Sequence, residues 1–120
     1  MIIDTSALIQ MIRNGNEFEE GSISVITLIE VLRAIENEQK RKRSKILIEE
    51  TFDILDVDEA VASSYVEMYF ELKKRGKAVS EADALIAATA RTKGETLLTL
   101  DRDFEKFEPL IKVRFLPQAK

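Results

Sequence analysis

The chain has 120 residues, 45% of them hydrophobic, which suits one domain with a single core. It contains neither cysteine nor histidine, which excludes disulfides, thiolate zinc sites, a cysteine nucleophile and a histidine general base; catalysis must rest on carboxylates, hydroxyls, Lys, Arg or Tyr. With 18 basic against 22 acidic residues the net charge is -4, which argues against binding nucleic acid by bulk electrostatics and leaves that task to local basic patches.

No apolar run approaches the roughly 20 residues that span a bilayer, and Met1-Ile2-Ile3-Asp4 lacks the basic leader and long apolar stretch of a signal peptide. A cytoplasmic protein with no membrane partner is expected.

Met1-Ile2-Ile3 is too short for a helix and apolar at consecutive positions, as in a strand buried on both faces, and Asp4 ends it. From Thr5 to about Arg13, Ala7, Leu8, Met11 and Ile12 recur at helical spacing, and Asn14-Gly15-Asn16 supplies a stop. Ser22 to Ile26 alternates polar and β-branched residues like a strand. Thr27, three residues before Glu30, reads as the cap of a helix carrying Val31, Leu32 and Ile35 and running to the basic tract Lys40 to Arg43.

Leu47, Ile48, Phe52 and Ile54 have helical spacing, Leu55-Asp56-Val57 reads as a short strand, and Asp58 as the cap of a helix carrying Val61, Tyr65, Met68, Tyr69 and Leu72 up to Gly76. The clearest helix follows, with Ser80 as its cap, Asp83 at the third position and a stop at Lys93-Gly94. Thr96 to Leu100 is a buried strand ended by Asp101, and a last strand is expected at Ile111 to Phe115. No repeat or linker interrupts residues 1–120, which read as a single domain. Strands alternating with helices require crossovers, hence an α/β fold with a mostly parallel sheet of about five strands and helices on both faces.

In such a sheet, ligands bind beyond the carboxyl ends of the strands. Asp4 and Asp101 each follow an apolar strand, Glu30 is expected in the first turn after the second strand, and Asp83 lies in the first turn of the helix that feeds the Thr96 strand. Each acid also has a local explanation. Asp4 can cap a helix, Glu30 and Asp83 occupy a position where a carboxylate stabilises a helix terminus by ~0.5–1 kcal/mol, and Asp101 can be a turn residue. Local roles do not explain why the acids fall at those junctions. Carboxylates about 4 Å apart repel by about 4 kcal/mol at an effective dielectric near 20, so such a cluster calls for a cation. With only oxygen donors available, Mg²⁺ or Mn²⁺ is the natural choice, and phosphodiester hydrolysis is the leading chemistry.

Four segments, Ile2-Ile3-Asp4-Thr5-Ser6-Ala7-Leu8, Ser24 to Glu30, Asp83-Ala84-Leu85-Ile86-Ala87-Ala88 and Leu98-Thr99-Leu100-Asp101-Arg102-Asp103-Phe104, occur in an order and spacing that resembles PIN-domain nucleases, in particular the VapC toxins of toxin-antitoxin pairs. The resemblance covers nearly the whole chain. It implies a three-layer α/β/α domain and a metal-dependent endoribonuclease, with Asp4, Glu30, Asp83 and Asp101 as catalytic acids, of which Asp4, Asp83 and Asp101 hold the metal. Ser6 and Thr99 would orient ligands or water. Family members carry Asn or Asp where Asp101 stands and often keep an acid where Asp103 stands, so Asp103 is the alternative fourth acid. The resemblance also implies an RNA substrate, a small antitoxin that blocks the site, and a homodimer. This chain is short for the family between Ala34 and Ile54, which bears on the antitoxin-binding surface.

Lys40, Arg41, Lys42 and Arg43 with Lys45, and Lys73, Lys74 and Arg75 with Lys77, are either solvated helix ends or a phosphate-tracking rim for RNA. Met68-Tyr69-Phe70 puts large apolar groups on adjacent helix faces, with Met68 and Tyr69 expected in the core and one exposed member suited to a dimer interface. Two other classes share the fold expectation. A receiver-type phospho-aspartate domain needs paired acids after the first strand and an Asp after a central strand, whereas Thr5 and Ser6 follow Asp4 and no clear strand precedes Asp53, Asp56 or Asp58. A non-catalytic binding module of the same fold would keep the ligands and cleave nothing.

Overall fold

The computed structural model describes residues 1–15 and 17–117. Asn16, part of the stop read after the first helix, and residues 118–120 lie outside them. In chain order the elements are β1 (Ile2–Ile3), α1 (Thr5–Arg13), β2 (Ser22–Ser24), α2 (Val25–Arg33), α3 (Glu38–Thr51), β3 (Asp53–Leu55), α4 (Glu59–Lys74), α5 (Glu81–Lys93), β4 (Leu97–Thr99), a 3-10 helix (Arg102–Phe107) and β5 (Val113–Phe115). The strands form one parallel sheet in the order β3-β2-β1-β4-β5.

Side chains alternate between the faces of a strand, and the two central strands put that alternation to use. Ile2 pairs with Leu97 and Ile3 with Leu98. Ile2 and Leu97 face a core built with Val61, Met68 and Leu72 of α4, Ala84, Ala87 and Ala88 of α5, and Phe104 and Phe107. Ile3, Ile23 and Leu98 face a second core, built with Ala7, Leu8 and Met11 of α1, Val31 of α2, Ile48 of α3, and Phe52. The result is the expected three-layer α/β/α arrangement with five strands. Among the described residues, no helix is long and apolar enough to cross a membrane.

Several local expectations shift. β2 stops at Ser24, whose side chain accepts from the Ile26 N–H, so Ser24 and not Thr27 caps α2. Glu30 therefore lies one turn deeper in α2 than the Thr-x-x-Glu spacing implied. The β-branched residues Val25 and Ile26 continue into helix because Ser24 satisfies the helix terminus, a stronger local constraint than their strand preference. α2 also ends early, at Arg33. Lys40, Arg41, Lys42 and Arg43 belong to the start of α3, which Asn37 caps. β3 lies over Asp53–Leu55 rather than over residues 55–57, so Asp56 does follow a strand. That strand is at the edge of the sheet, with β2 between it and β1, so Asp56 lacks the central position a receiver domain requires. Asp58 and Ser80 cap α4 and α5 as the sequence predicts. Met68 is buried in the core, but Tyr69 is exposed, and so are its neighbours Val66 and Phe70.

Candidate active site

The strand order locates the site. From β1 the chain proceeds to β2 and β3 on one side, while β4 and β5 lie on the other, so the order reverses between β1 and β4. A crevice forms beyond the carboxyl ends of strands at such a reversal. Asp4 follows β1, and Asp101 follows β4 after Leu100.

Asp4 is almost completely buried, at 3% exposure, and a carboxylate there must be held by donors. Its Oδ1 accepts from the Ala7 N–H at 3.0 Å, the helix-capping bond the sequence suggests, and from the Ser6 hydroxyl at 2.9 Å. Its Oδ2 accepts from the Thr99 hydroxyl at 2.7 Å. Ser6 and Thr99 are tied in turn to the other strand end: the Leu100 N–H donates to Ser6 Oγ and the Asp101 N–H to Thr99 Oγ1, at 3.0 and 2.9 Å. Both supporting residues thus bridge β1 and β4. Burial raises the pKa of Asp4 above its usual value; the bonds from Ala7, Thr99 and Ser6 oppose that rise, and the charge of Asp101 adds to it.

Asp83 occupies the first turn of α5, where its N–H donates to Ser80 Oγ at 3.1 Å. Its pKa is raised first by burial, against the Ser80 bond, and then by the charges of Asp101, Glu30 and Asp103. The acids from the ends of β1 and β4, from α2 and from α5 therefore share one electrostatic neighbourhood. Glu30 is joined to the segment after Asp4 through Thr5, whose hydroxyl donates to Glu30 Oε1 at 2.7 Å and lies 3.3 Å from that of Thr27. Asp101 Oδ1 accepts from the Asp103 N–H at 2.9 Å, so Asp101 points back along its own turn and Asp103 is close behind it.

The expected tight cup is looser than four acids meeting at one point. Among the described residues, no group of three or more acids is disposed to hold one metal ion as the side chains stand. The hydrogen bonds give the reason: Asp4 is engaged by Ser6, Ala7 and Thr99, Glu30 is drawn to Thr5, and Asp101 to the Asp103 backbone. Like charges gain nothing by closing further on their own. In donor type and charge the set still fits a hard divalent ion, being entirely oxygen and strongly acidic.

Two residues that sequence reasoning passed over also belong here. Thr5 orients Glu30, a role signalled only by its place beside Asp4. Lys106 lines a cavity of about 280 Å³ together with Asp83, Asp103 and Ser80, and its ammonium donates to the Ala78 carbonyl at 3.1 Å. Its helical spacing of three from Asp103 was the available sign. The basic tracts are engaged locally. Arg41 donates to the Ile35 and Glu36 carbonyls, Lys42 pairs with Glu38, Lys45 with Glu49, and Arg75 with Glu71. Lys73 instead lies over the Tyr69 ring.

Known proteins share the sequence pattern and the fold. The model of the PIN domain family matches residues 1–109. Ribonuclease VapC1 of Methanocaldococcus jannaschii is 34% identical over 111 residues, covering 90% of this chain and 81% of the relative. The structure of VapBC2 from Rickettsia felis bound to a DNA fragment from their promoter shares the fold. Its TM-score is 0.83 at 18% identity, over 97% of this chain and 98% of the other. DNA-bound VapBC from Salmonella typhimurium aligns with a TM-score of 0.78 at 26% identity, over 95% and 96% of the two chains. The family match over residues 1–109 and the 34% identity to a VapC ribonuclease along most of both chains make this chain a member of the PIN domain family, among the VapC ribonucleases.

Proposed function

We propose that the chain is a metal-dependent endoribonuclease, the toxin of a type II toxin-antitoxin pair, acting as a single nuclease domain in the cytoplasm. The observation that carries this reading is the meeting of Asp4 and Asp101 at the reversal of strand order, where the Thr99 hydroxyl donates to Asp4 and accepts from the Asp101 N–H. Asp4, Asp83 and Asp101 are the residues to hold Mg²⁺ or Mn²⁺, which when bound would neutralise the cluster, lower the pKa of a water and stabilise charge on the departing oxygen.

The chain's own groups do the rest. Ser6, Thr99 and the Ala7 N–H favour the ionised form of the buried Asp4 by donating to it. Thr5 fixes Glu30 by Oε1, leaving Oε2 as acceptor for a proton of the attacking water. Asp103 supports Asp101 through the turn they share. Attack by water on phosphorus, with rupture of the bond to the 3′-oxygen, leaves a 5′-phosphate and a 3′-hydroxyl. The basic residues Lys40, Arg41, Lys42, Arg43, Lys73, Lys74 and Arg75 form the outer phosphate-tracking surface. A small antitoxin as partner follows from membership among the VapC ribonucleases, and pairing of two copies fits the exposed Val66 and Phe70 on α4, at 49% and 54% exposure.

The test is incubation of the purified protein with total RNA and Mn²⁺, with and without a chelator, followed by mapping of the cut ends. Chelator-sensitive cuts bearing 5′-phosphates are expected, and none from Asp4→Asn or Asp83→Asn. Full activity in either variant refutes the assignment. Absence of any cut by the wild-type protein favours a binding module of the same fold.

A further inference from the structure

A groove of about 520 Å³ runs between α4 and the start of α5, with Tyr65, Tyr69, Lys73 and Lys77 on its walls. The smaller cavity that contains Asp83, Asp103 and Lys106 adjoins it, because Ala78, Val79 and Ser80 line both. The acids thus lie on one side of the Ala78–Ser80 segment and the aromatic rings and ammonium groups on the other.

The aromatic end is built for a planar guest. The Tyr65 and Tyr69 rings stack at 6.4 Å with an interplanar angle of 23°, Tyr69 is 45% exposed, and the Lys73 ammonium lies 6.0 Å from the Tyr69 ring centroid. Neither Lys73 nor Lys77 is in an ion pair among the described residues. Glu81 also lines the groove and accepts from the Tyr65 hydroxyl at 3.4 Å. A polyanion entering the groove would place its phosphate against the lysines and its uncharged base against the rings.

We propose that this groove is a nucleotide subsite, in which a base of single-stranded RNA flanking the scissile phosphate stacks on Tyr69 and Tyr65 while Lys73 and Lys77 take the adjoining phosphate. The inference rests on the nuclease reading of the acid cluster and extends it to how the strand is held. Stacking on aromatic side chains tolerates any base, and its partner lysines read only backbone charge, so the subsite sets strand placement and single-strand preference rather than sequence. A second copy of the chain is the competing occupant. The groove is lined by Lys73 and Lys77 with the single carboxylate of Glu81, whereas the apolar Val66 and Phe70 do not line it.

The experiment uses a set of short labelled single-stranded RNAs, with steady-state cleavage, binding by fluorescence anisotropy, and sedimentation. Tyr69→Ala should raise KM and Kd by roughly 5- to 150-fold, the range for loss of one base–aromatic stack, with kcat little changed. Tyr69→Phe, which keeps the ring, should behave like the wild type. An abasic nucleotide scanned along the RNA should weaken binding of the wild type at one flanking position and have no further effect there on Tyr69→Ala. Unchanged KM in Tyr69→Ala overturns the subsite while leaving the nuclease reading intact. So does a loss that accompanies conversion of a dimer to a monomer, which would make this face an interface between copies. RNA left uncut and unbound by the wild-type protein overturns both.

Discussion

Thr99 donates a 2.7 Å hydrogen bond to Asp4 across 95 residues of chain, joining the end of β4 to the end of β1. The same hydroxyl oxygen accepts from the Asp101 N–H, so one buried threonine positions two of the acids. Replacing it by the nearly isosteric valine removes a donor from a buried carboxylate and strands a backbone N–H. Thr99→Val should cost about 1–3 kcal/mol of stability in thermal or urea unfolding. Because the Thr99 bond holds the Asp4 pKa down, the acid limb of the cleavage profile should also move to higher pH. Thr99→Ser should restore both; a valine variant with wild-type stability and pH profile contradicts this role.

Stability and activity should part company at Asp83. Burial and three neighbouring carboxylates oppose its ionisation in the folded protein. In metal-free buffer near neutral pH, Asp83→Asn should therefore melt at a higher temperature than the wild type. Cleavage with Mn²⁺ should fall by at least about 100-fold, the upper end of what loss of an outer-shell partner costs, if Asp83 is the proposed metal ligand. Calorimetry paired with the RNA assay checks both. A lower melting temperature would show that the carboxylate makes net favourable contacts.

The raised pKa values of Asp4 and Asp83 have a definite sign in linkage. A carboxyl whose folded pKa exceeds its unfolded value contributes stability that is present below the unfolded value, 3.8 for these groups, and is lost as pH rises through the folded one. The metal-free protein should accordingly lose this contribution as pH rises above 3.8. A divalent ion, which competes with those protons, should stabilise the ionised form by about 2.7 kcal/mol at a concentration 100 times its Kd. The melting temperature measured against pH with and without Mn²⁺ decides the matter; a Mn²⁺ shift as large below pH 3.8 as at neutrality would be inconsistent.

Gly21 precedes β2 where a Cβ would come within 2.6 Å of the Met1 carbonyl oxygen and 3.2 Å of the Ile3 side chain. Backbone cannot yield as a side-chain tip can. Gly21→Ala should push β2 from β1 and cost about 1–3 kcal/mol, the usual range for overpacking. Denaturant midpoints measure it, and an unchanged midpoint would mean that the strand entry has slack.

Ser24→Ala should cost about 1 kcal/mol through loss of the α2 cap. Thr27→Val, at the position the spacing alone would have chosen, should leave the cap intact and cost less. Equal losses would mean that the helix start is shared between them.

The capping signals at Asp58 and Ser80, the helical spacing from Thr5 to Arg13 and the apolar runs beside Asp4 and Asp101 were legible because each is a short-range effect, decided within a turn or a strand. The α2 cap was misplaced because Ser24 and Thr27 are both competent, and only the path of β2 into the helix decides between them. The residue types and order likewise pointed to the proposed chemistry: oxygen donors without histidine or cysteine, set after strands, in a pattern resembling PIN-domain nucleases.

Strand order lay beyond the reach of the sequence. Local patterning states that a segment is a strand but not which strand it lies beside, since that depends on crossovers closing over many residues. Only the packed sheet places β4 against β1, sends β3 to the edge with Asp56, and so brings Asp4 and Asp101 to one crevice. The bond of Thr99 to Asp4 follows from the register that pairs Ile2 with Leu97 and Ile3 with Leu98, since a slip of one residue would turn each of these side chains to the other face.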